Sequence, residues 1–326
     1  MTGFTRRAAL AAPLGLAAPA ALAQGAAAPG AWPDRPVRLV VAFPAGSVTD
    51  SLVRNLVDGL SRELGQPVVV DNRPGGNGVV GTMAVRNAAP DGYTGVILSV
   101  TNGALNTYLV RNLAYDPMRD FAHVGFLAVA PYLLVVPANS PARTLREFVE
   151  LARRRPGELT FSHGNASALI GSERLNRMAG VRMLAVPSRG GPEALTEVIA
   201  GRIDSTLTDF AAGLAQVREG RVRALGVTSA EVFPLAPEIP PIASVLPGYE
   251  LIVWFGIATP TGTPPEVVAR WNRAINAVLG QAETRERLAR FGYAPRPMSP
   301  EQWRDFLQTE ITDLTRLARE VGLEPS

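Results

Sequence analysis

Apolar β-branched runs alternate with amphipathic helical stretches along the chain, the pattern of an α/β protein built on mostly parallel sheets. Val37 to Ala42 predicts a buried strand. A polar turn and a helix from Thr49 to Leu64 follow, closed by Gly65. Strand Val68–Val70, helix Val79–Ala88 and strand Gly95–Ser99 continue the alternation. Two apolar segments, Val124–Ala130 and Leu133–Val136, precede a helix over Thr144–Arg155. Strands Thr160–Ser162, Leu184–Val186 and Ser205–Thr208 then interleave with helices Ser167–Ala179, Pro192–Ala200 and one ending at Glu219. Strand Val222–Thr228, a proline-rich stretch and strand Ile252–Ala258 lead to three helices near Pro265–Leu279, Ala282–Arg290 and Pro300–Val321.

Length favours two domains of roughly 130–170 residues each. Few connecting segments have linker composition, so the domains are expected to interleave: lobe I from residues 24–125 and 229–326, lobe II from residues 126–228. The runs around Val124–Val136 and Val222–Thr228 are the candidate crossing strands. A ligand between two such lobes meets the carboxyl ends of strands, where helix N-termini converge.

The first residues bear on location. Arg6 and Arg7 precede an uncharged apolar run, Ala8 to Ala23, that ends in the small-x-small pattern Ala21-Leu22-Ala23. This reads as a cleaved signal peptide over residues 1–23, of Sec or twin-arginine type, with Gln24 as the first mature residue and a periplasmic destination. The run, broken by Pro13 and Pro19, is too short to span a bilayer.

Composition then removes chemistry. The formal charge of +3 falls to +1 without Arg6 and Arg7, and the two signs are interspersed, which argues against a nucleic-acid partner. The chain has no cysteine and no lysine. Thiolate chemistry, Schiff bases and P-loops are excluded. With only two histidines, His123 and His163, no metal site is expected. No G-x-S-x-G elbow is present. A hydrolase or isomerase built on His163 with Ser162 or Ser167 is a minor alternative, since adjacent positions pair poorly. Gly76-Asn77-Gly78-Val79-Val80-Gly81 matches a dinucleotide fingerprint but lacks the acid about twenty residues on, and reads as a tightly packed loop. No cofactor is expected.

What remains is a set of polar turns at strand ends. The strongest is Phe43 to Asp50, where Gly46 permits a tight turn and Ser47, Thr49 or Asp50 can cap the next helix, whose free amides form an anion site. Ala45 lies in the same turn. Asp50 either caps amides or accepts from a ligand hydroxyl or ammonium. The same grammar recurs at Thr101-Asn102, at His163-Gly164-Asn165 with Ser167, at Arg189-Gly190-Gly191 and at Thr208-Asp209. Such turns suit a small carboxylate held by dipoles. Arg189 offers a bidentate contact or is a solvated surface group. His163 either donates to a ligand or bonds backbone. His123 reads as structural, and Trp254 and Phe255 as core.

In order and spacing these blocks resemble the Bug receptors, periplasmic solute-binding proteins of tripartite tricarboxylate transporters. The resemblance runs through Pro36–Val41 into Phe43–Asp50, Val70–Gly75, Ala88–Thr94, Tyr115-Asp116-Pro117, Val186-Pro187 with Arg189-Gly190-Gly191, Arg223–Ser229, and Trp254-Phe255-Gly256 with Pro260–Pro264. It implies a type II periplasmic-binding-protein fold, with two doubly wound α/β lobes joined by two crossover strands around a ligand cleft. It also implies a monomeric receptor, not an enzyme, that delivers a small carboxylate to membrane permease subunits. Presentation of the liganded form to a sensor kinase is the alternative. In that family the first turn holds a ligand carboxylate largely through backbone amides and bridging waters, a role that maps onto Ala45, Gly46, Ser47 and Asp50. The opposing contacts map onto Gly164–Ser167 and Arg189–Gly191. Ser47 replaces a customary second glycine, Ser188 an aromatic, and Thr208 an aspartate; His163 stands where a small residue is common. Each change alters pocket size or polarity.

Overall fold

The computed structural model describes residues 1–3 and 32–325. The signal segment expected over residues 1–23 falls outside them from residue 4 onward. Strand β1 (Val37–Val41) is buried on both faces and pairs in parallel with β2 (Val68–Asn72) and β3 (Thr94–Ser99). Helices α1 (Val48–Leu64) and α2 (Val79–Arg86) supply the crossovers. Helix α1 begins at the Ser47 cap and ends where Gly65 adopts a left-handed φ of 76°.

After β3 the chain does what periodicity did not predict. It winds into a six-residue π turn, Val100–Leu105, continued by the short α3 (Asn106–Leu109). The turn is held by Asn102, whose Oδ1 accepts from the Ser99 amide at 2.9 Å and from the Ser99 hydroxyl at 2.7 Å. Its Nδ2 donates to Thr82 Oγ1 and to the Ile97 carbonyl, both at 3.0 Å.

The two apolar segments expected between residues 124 and 136 are one strand, β4 (Phe121–Pro137), 17 residues long. As far as Pro131 it pairs antiparallel with β9 (Ile252–Pro260). From Tyr132 it pairs antiparallel with β7 (Ser205–Asp209), and from Leu133 also with β8 (Val222–Val227). The change of partners therefore falls at Pro131–Tyr132, a few residues beyond 126. Beyond β4 come α4 (Leu145–Arg154), β5 (Thr160–His163), α5 (Ala166–Ala179), β6 (Leu184–Pro187), α6 (Gly191–Ile199) and α7 (Phe210–Arg218). Strand β5 is parallel to both β6 and β7. Helices α8 (Pro265–Gly280), α9 (Ala282–Arg290) and α10 (Pro300–Glu320), with the two-residue β10 (Ala294–Pro295), complete the first lobe.

The strand order is β2-β1-β3-β9-β4-β7-β5-β6, with β8 and β10 also on β4. The outer strands are parallel, as expected. The centre is antiparallel, because β4, which passes from one lobe to the other, runs against β9 along its first half and against β7 and β8 along its second. Strand β8 does not itself cross. The chain returns through residues 228–251, and Thr228 clasps the junction. Its hydroxyl accepts from the Tyr132 amide and donates to the Leu251 carbonyl, both at 2.7 Å. Its own amide donates to Tyr132 O, and Leu251 N–H donates to Thr228 O. Trp254 is core, packed against Trp303 with ring centroids 5.3 Å apart. His123 is structural as expected, with Nε2 3.0 Å from the Pro117 carbonyl and burial pushing its pKa down to about 4.

Thr228→Val keeps the shape of the side chain but leaves the buried Tyr132 amide and Leu251 carbonyl unpaired. It should cost about 1–3 kcal/mol in urea unfolding. A loss below a few tenths would mean the clasp contributes nothing to the junction.

Candidate functional site

Where β4 changes sheets, the carboxyl ends of β1, β3, β5, β6 and β7 face a common cavity of about 290 Å³, at the small end for ligand sites. Each strand turns directly into a helix whose N-terminus points inward. Ser47 caps α1, Asn165 caps α5 and Asp209 caps α7, while α6 starts from Gly190 with Pro192 in its first turn. The first amides of a helix have no intrahelical acceptor, and each N-terminus carries roughly half a positive charge. Four of them converge on one small space, so the cavity attracts an anion without a fixed cation at its centre.

The lobes meet over this cavity. Thr101 Oγ1 from the π turn lies 2.9 Å from Ser167 Oγ of α5 and accepts from the Ser167 amide at 3.3 Å. On another side Pro44 rests against Gly190, where a Cβ would come within 2.8 Å of its ring. Gly164 is equally constrained: a Cβ there would sit 2.0 Å from the Gly190 carbonyl carbon, so only glycine lets the two loops stack.

Of the residues singled out from the sequence, Gly46, Ser47, Thr49, Thr101, Gly164, Asn165, Ser167, Gly190, Gly191, Thr208 and Asp209 line this cavity. Five do not. Ala45 is exposed at the tip of its turn. Asp50 faces away from the cavity and pins the turn from behind, accepting from the Gly46 amide, from Asn72 Nδ2 and from Arg54 Nε, each at 2.9 Å. Burial would raise its pKa, but these hydrogen bonds outweigh it and hold the carboxyl low. Asn102 is spent on the π turn. His163 and Arg189 line a separate groove at the cleft mouth, beside the loop Pro74–Gly78. The Arg189 side chain is 93% exposed, with Glu193 as its nearest acid at 3.9 Å. Ser162 bonds Val186 O and Ser188, and Ser167 bonds Thr101, so both serines are committed elsewhere than to His163.

The sequence reading missed Tyr132, Val253 and Phe255 as cavity walls, since apolar strand interiors carry no signal of facing a void. Burial pushes the Tyr132 phenol up, so it enters the site as a neutral hydrogen-bonding group. Among the described residues, Asp209 is the one acid lining the cavity. Burial raises its pKa to about 6, against the α7 amides of Ala211 and Ala212, which lower it.

Two consequences are measurable. Ser47→Trp places an indole in the cavity and should abolish ligand binding by titration calorimetry, with about 1 kcal/mol of stability lost with the cap. Retained tight binding would displace the site from this turn. The raised value of Asp209 means that its stabilising contribution is complete below about 3.8 and lost as pH rises through about 6. Asp209→Asn keeps a cap without the charge, so its melting temperature should gain on the parent's as pH rises from 4 to 7. Parallel profiles would show that Asp209 is not buried as an acid.

The family model of the tripartite tricarboxylate transporter family receptor matches residues 52–323. A UPF0065 protein from the tcbD-tcbE intergenic region of Pseudomonas sp. strain P51 is 35% identical over 297 residues, covering 90% of this chain and 88% of that protein. Among solved structures, R. palustris Rpa4515 with adipate superposes with a TM-score of 0.88 at 33% identity, covering 90% of this chain and all of the other. MatC (Rpa3494) from Rhodopseudomonas palustris with bound malate gives 0.82 at 30%, covering 88% of this chain and 99% of the other. With the fold and the inter-lobe cavity already matching the expected architecture, the chain belongs to the tripartite tricarboxylate transporter receptor family, whose members are periplasmic solute-binding receptors and not enzymes.

Proposed function

We propose that this receptor closes on a small carboxylate in the inter-lobe cavity and hands it to the membrane subunits of a tripartite tricarboxylate transporter. The observation that carries the reading is the convergence of four helix N-termini, from α1, α5, α6 and α7, on one cavity. A carboxylate oxygen there accepts from the Val48 and Thr49 amides and from the hydroxyls of Ser47, Thr49 and Thr101. Relatives solved with adipate and with malate support the same ligand class. Asp209 opposes a second bare negative charge beside it, so it favours a ligand that offers a hydroxyl at that wall. The lobe boundary at Pro131–Tyr132 and residues 228–251 is the hinge about which closure takes place.

The test is a thermal-shift screen of the chain from Gln24 onward against mono-, di- and hydroxycarboxylates, on protein freed of co-purified ligand. A ligand at a hundredfold excess over its Kd adds about 2.7 kcal/mol of stability, a shift of several degrees. One acid class shifting the melt, confirmed by calorimetry at 1:1, is the expected result. Silence across the acids would overturn the reading.

A further inference from the structure

The cavity does not stop at the cleft. Its walls descend between α6 and α7: Leu195, Thr196 and Ile199 from the first, Ala212 and Gln216 from the second. Spacings of 3 and 4 residues to Ile199 on α6, and of 4 between Ala212 and Gln216 on α7, put these side chains on one face of each helix, and both faces line the same gap. At the far end the gap reaches Arg221, in the turn between α7 and β8. Helix α6 has 9 residues, so at 1.5 Å per residue the descent covers about 13 Å from the cleft to the lobe's outer edge.

The chemistry changes along the way. The top is polar, the middle is apolar with Leu195, Ile199 and Ala212, and the bottom is polar again. There Gln216 Oε1 is buried without a hydrogen-bond partner. A buried amide oxygen left unpaired is costly, so the position calls for an incoming polar group. Either amide end can meet it, because a half-turn of the amide exchanges acceptor for donor. Arg221 makes the favoured group anionic. Its present partner, Glu219, lies 3.2 Å away with both side chains more than half exposed, a pairing worth little and readily exchanged.

We propose that the gap between α6 and α7 is a second ligand compartment, taking the apolar chain and distal carboxylate of an elongated α,ω-diacid. The inference rests on the carboxylate-receptor reading and adds to it a ligand length and a residue, Arg221, that reads the far end. Arg221 also explains how a cavity whose centre, among the described residues, carries only Asp209 as a charged wall can accept a dianion: the second charge sits away from Asp209, at the lobe's edge.

Calorimetry with succinate, adipate, suberate and sebacate on the chain from Gln24 onward tests the length, and Arg221→Gln tests the anchor. Octanoate serves as the chain without a distal charge. Affinity should rise with length to suberate or sebacate. Arg221→Gln should weaken the long diacids by about tenfold or more while changing octanoate and succinate by less than about twofold. Two outcomes would overturn the compartment while leaving the receptor intact: short acids binding with no gain from length, or Arg221→Gln weakening octanoate and suberate equally. Binding by none of these acids would overturn the compartment; silence that extends to the hydroxycarboxylates as well would overturn the receptor reading with it.

Discussion

A single strand belongs to both sheets, and the rest of the molecule follows from that sharing. Strand β4 satisfies its backbone against β9 along one half and against β7 and β8 along the other. A ladder running continuously through two lobes fixes their relative depth, because a slip of one residue would invert every side chain on it. The outer strands of both sheets consequently end at the same level, near Tyr132, and the helices that follow all begin there. Thr228 secures the return path at the same point, so the two connections between lobes lie side by side.

This geometry explains how the proposed anion site forms from few charges. The chain carries no lysine, and Arg189 points to solvent at the cleft mouth. In the proposed reading, attraction comes instead from the N-terminal amides of α1, α5, α6 and α7, whose first turns border one small volume. Within each lobe those amides are held by their own helix and need no reorganisation when the ligand arrives. The Asp50, Asn72 and Arg54 cluster keeps the first of them in place by holding the Gly46 amide from behind. Asp209 caps α7 and also sets the polarity of one wall, which ties the stability of the second lobe to the chemistry of the cavity.

Most of the fold was legible along the chain. The expected strands and helices match the observed ones to within a few residues, because buried strands read as β-branched runs and helices carry their caps, as at Ser47, Thr144 and Ser299. Two features were not. The π turn at Val100–Leu105 depends on Asn102 reaching Thr82, 20 residues earlier in sequence, and no local period reports such a contact. The unity of β4 was hidden by Pro131, which reads as a break, although it sits where β4 passes from one sheet to the other and changes partners.

The candidate site divides along the same line. Residue type and position after a strand determined which turns would gather at the cleft, since a helix start after a parallel strand always faces the same edge of the sheet. Sequence alone also determined what the site lacks, because no fold can supply an absent lysine or cysteine. Only the tertiary structure decided which side chains of those turns face the ligand space. Asp50 and Ser47 are three residues apart, yet one turns to the scaffold and the other to the cavity, according to where Asn72 and Arg54 happen to lie. Tyr132, Phe255, Gln216 and Arg221 reach the cavity through pairings between distant segments. Direction in space depends on those pairings, and a linear pattern of polar and apolar residues does not encode it.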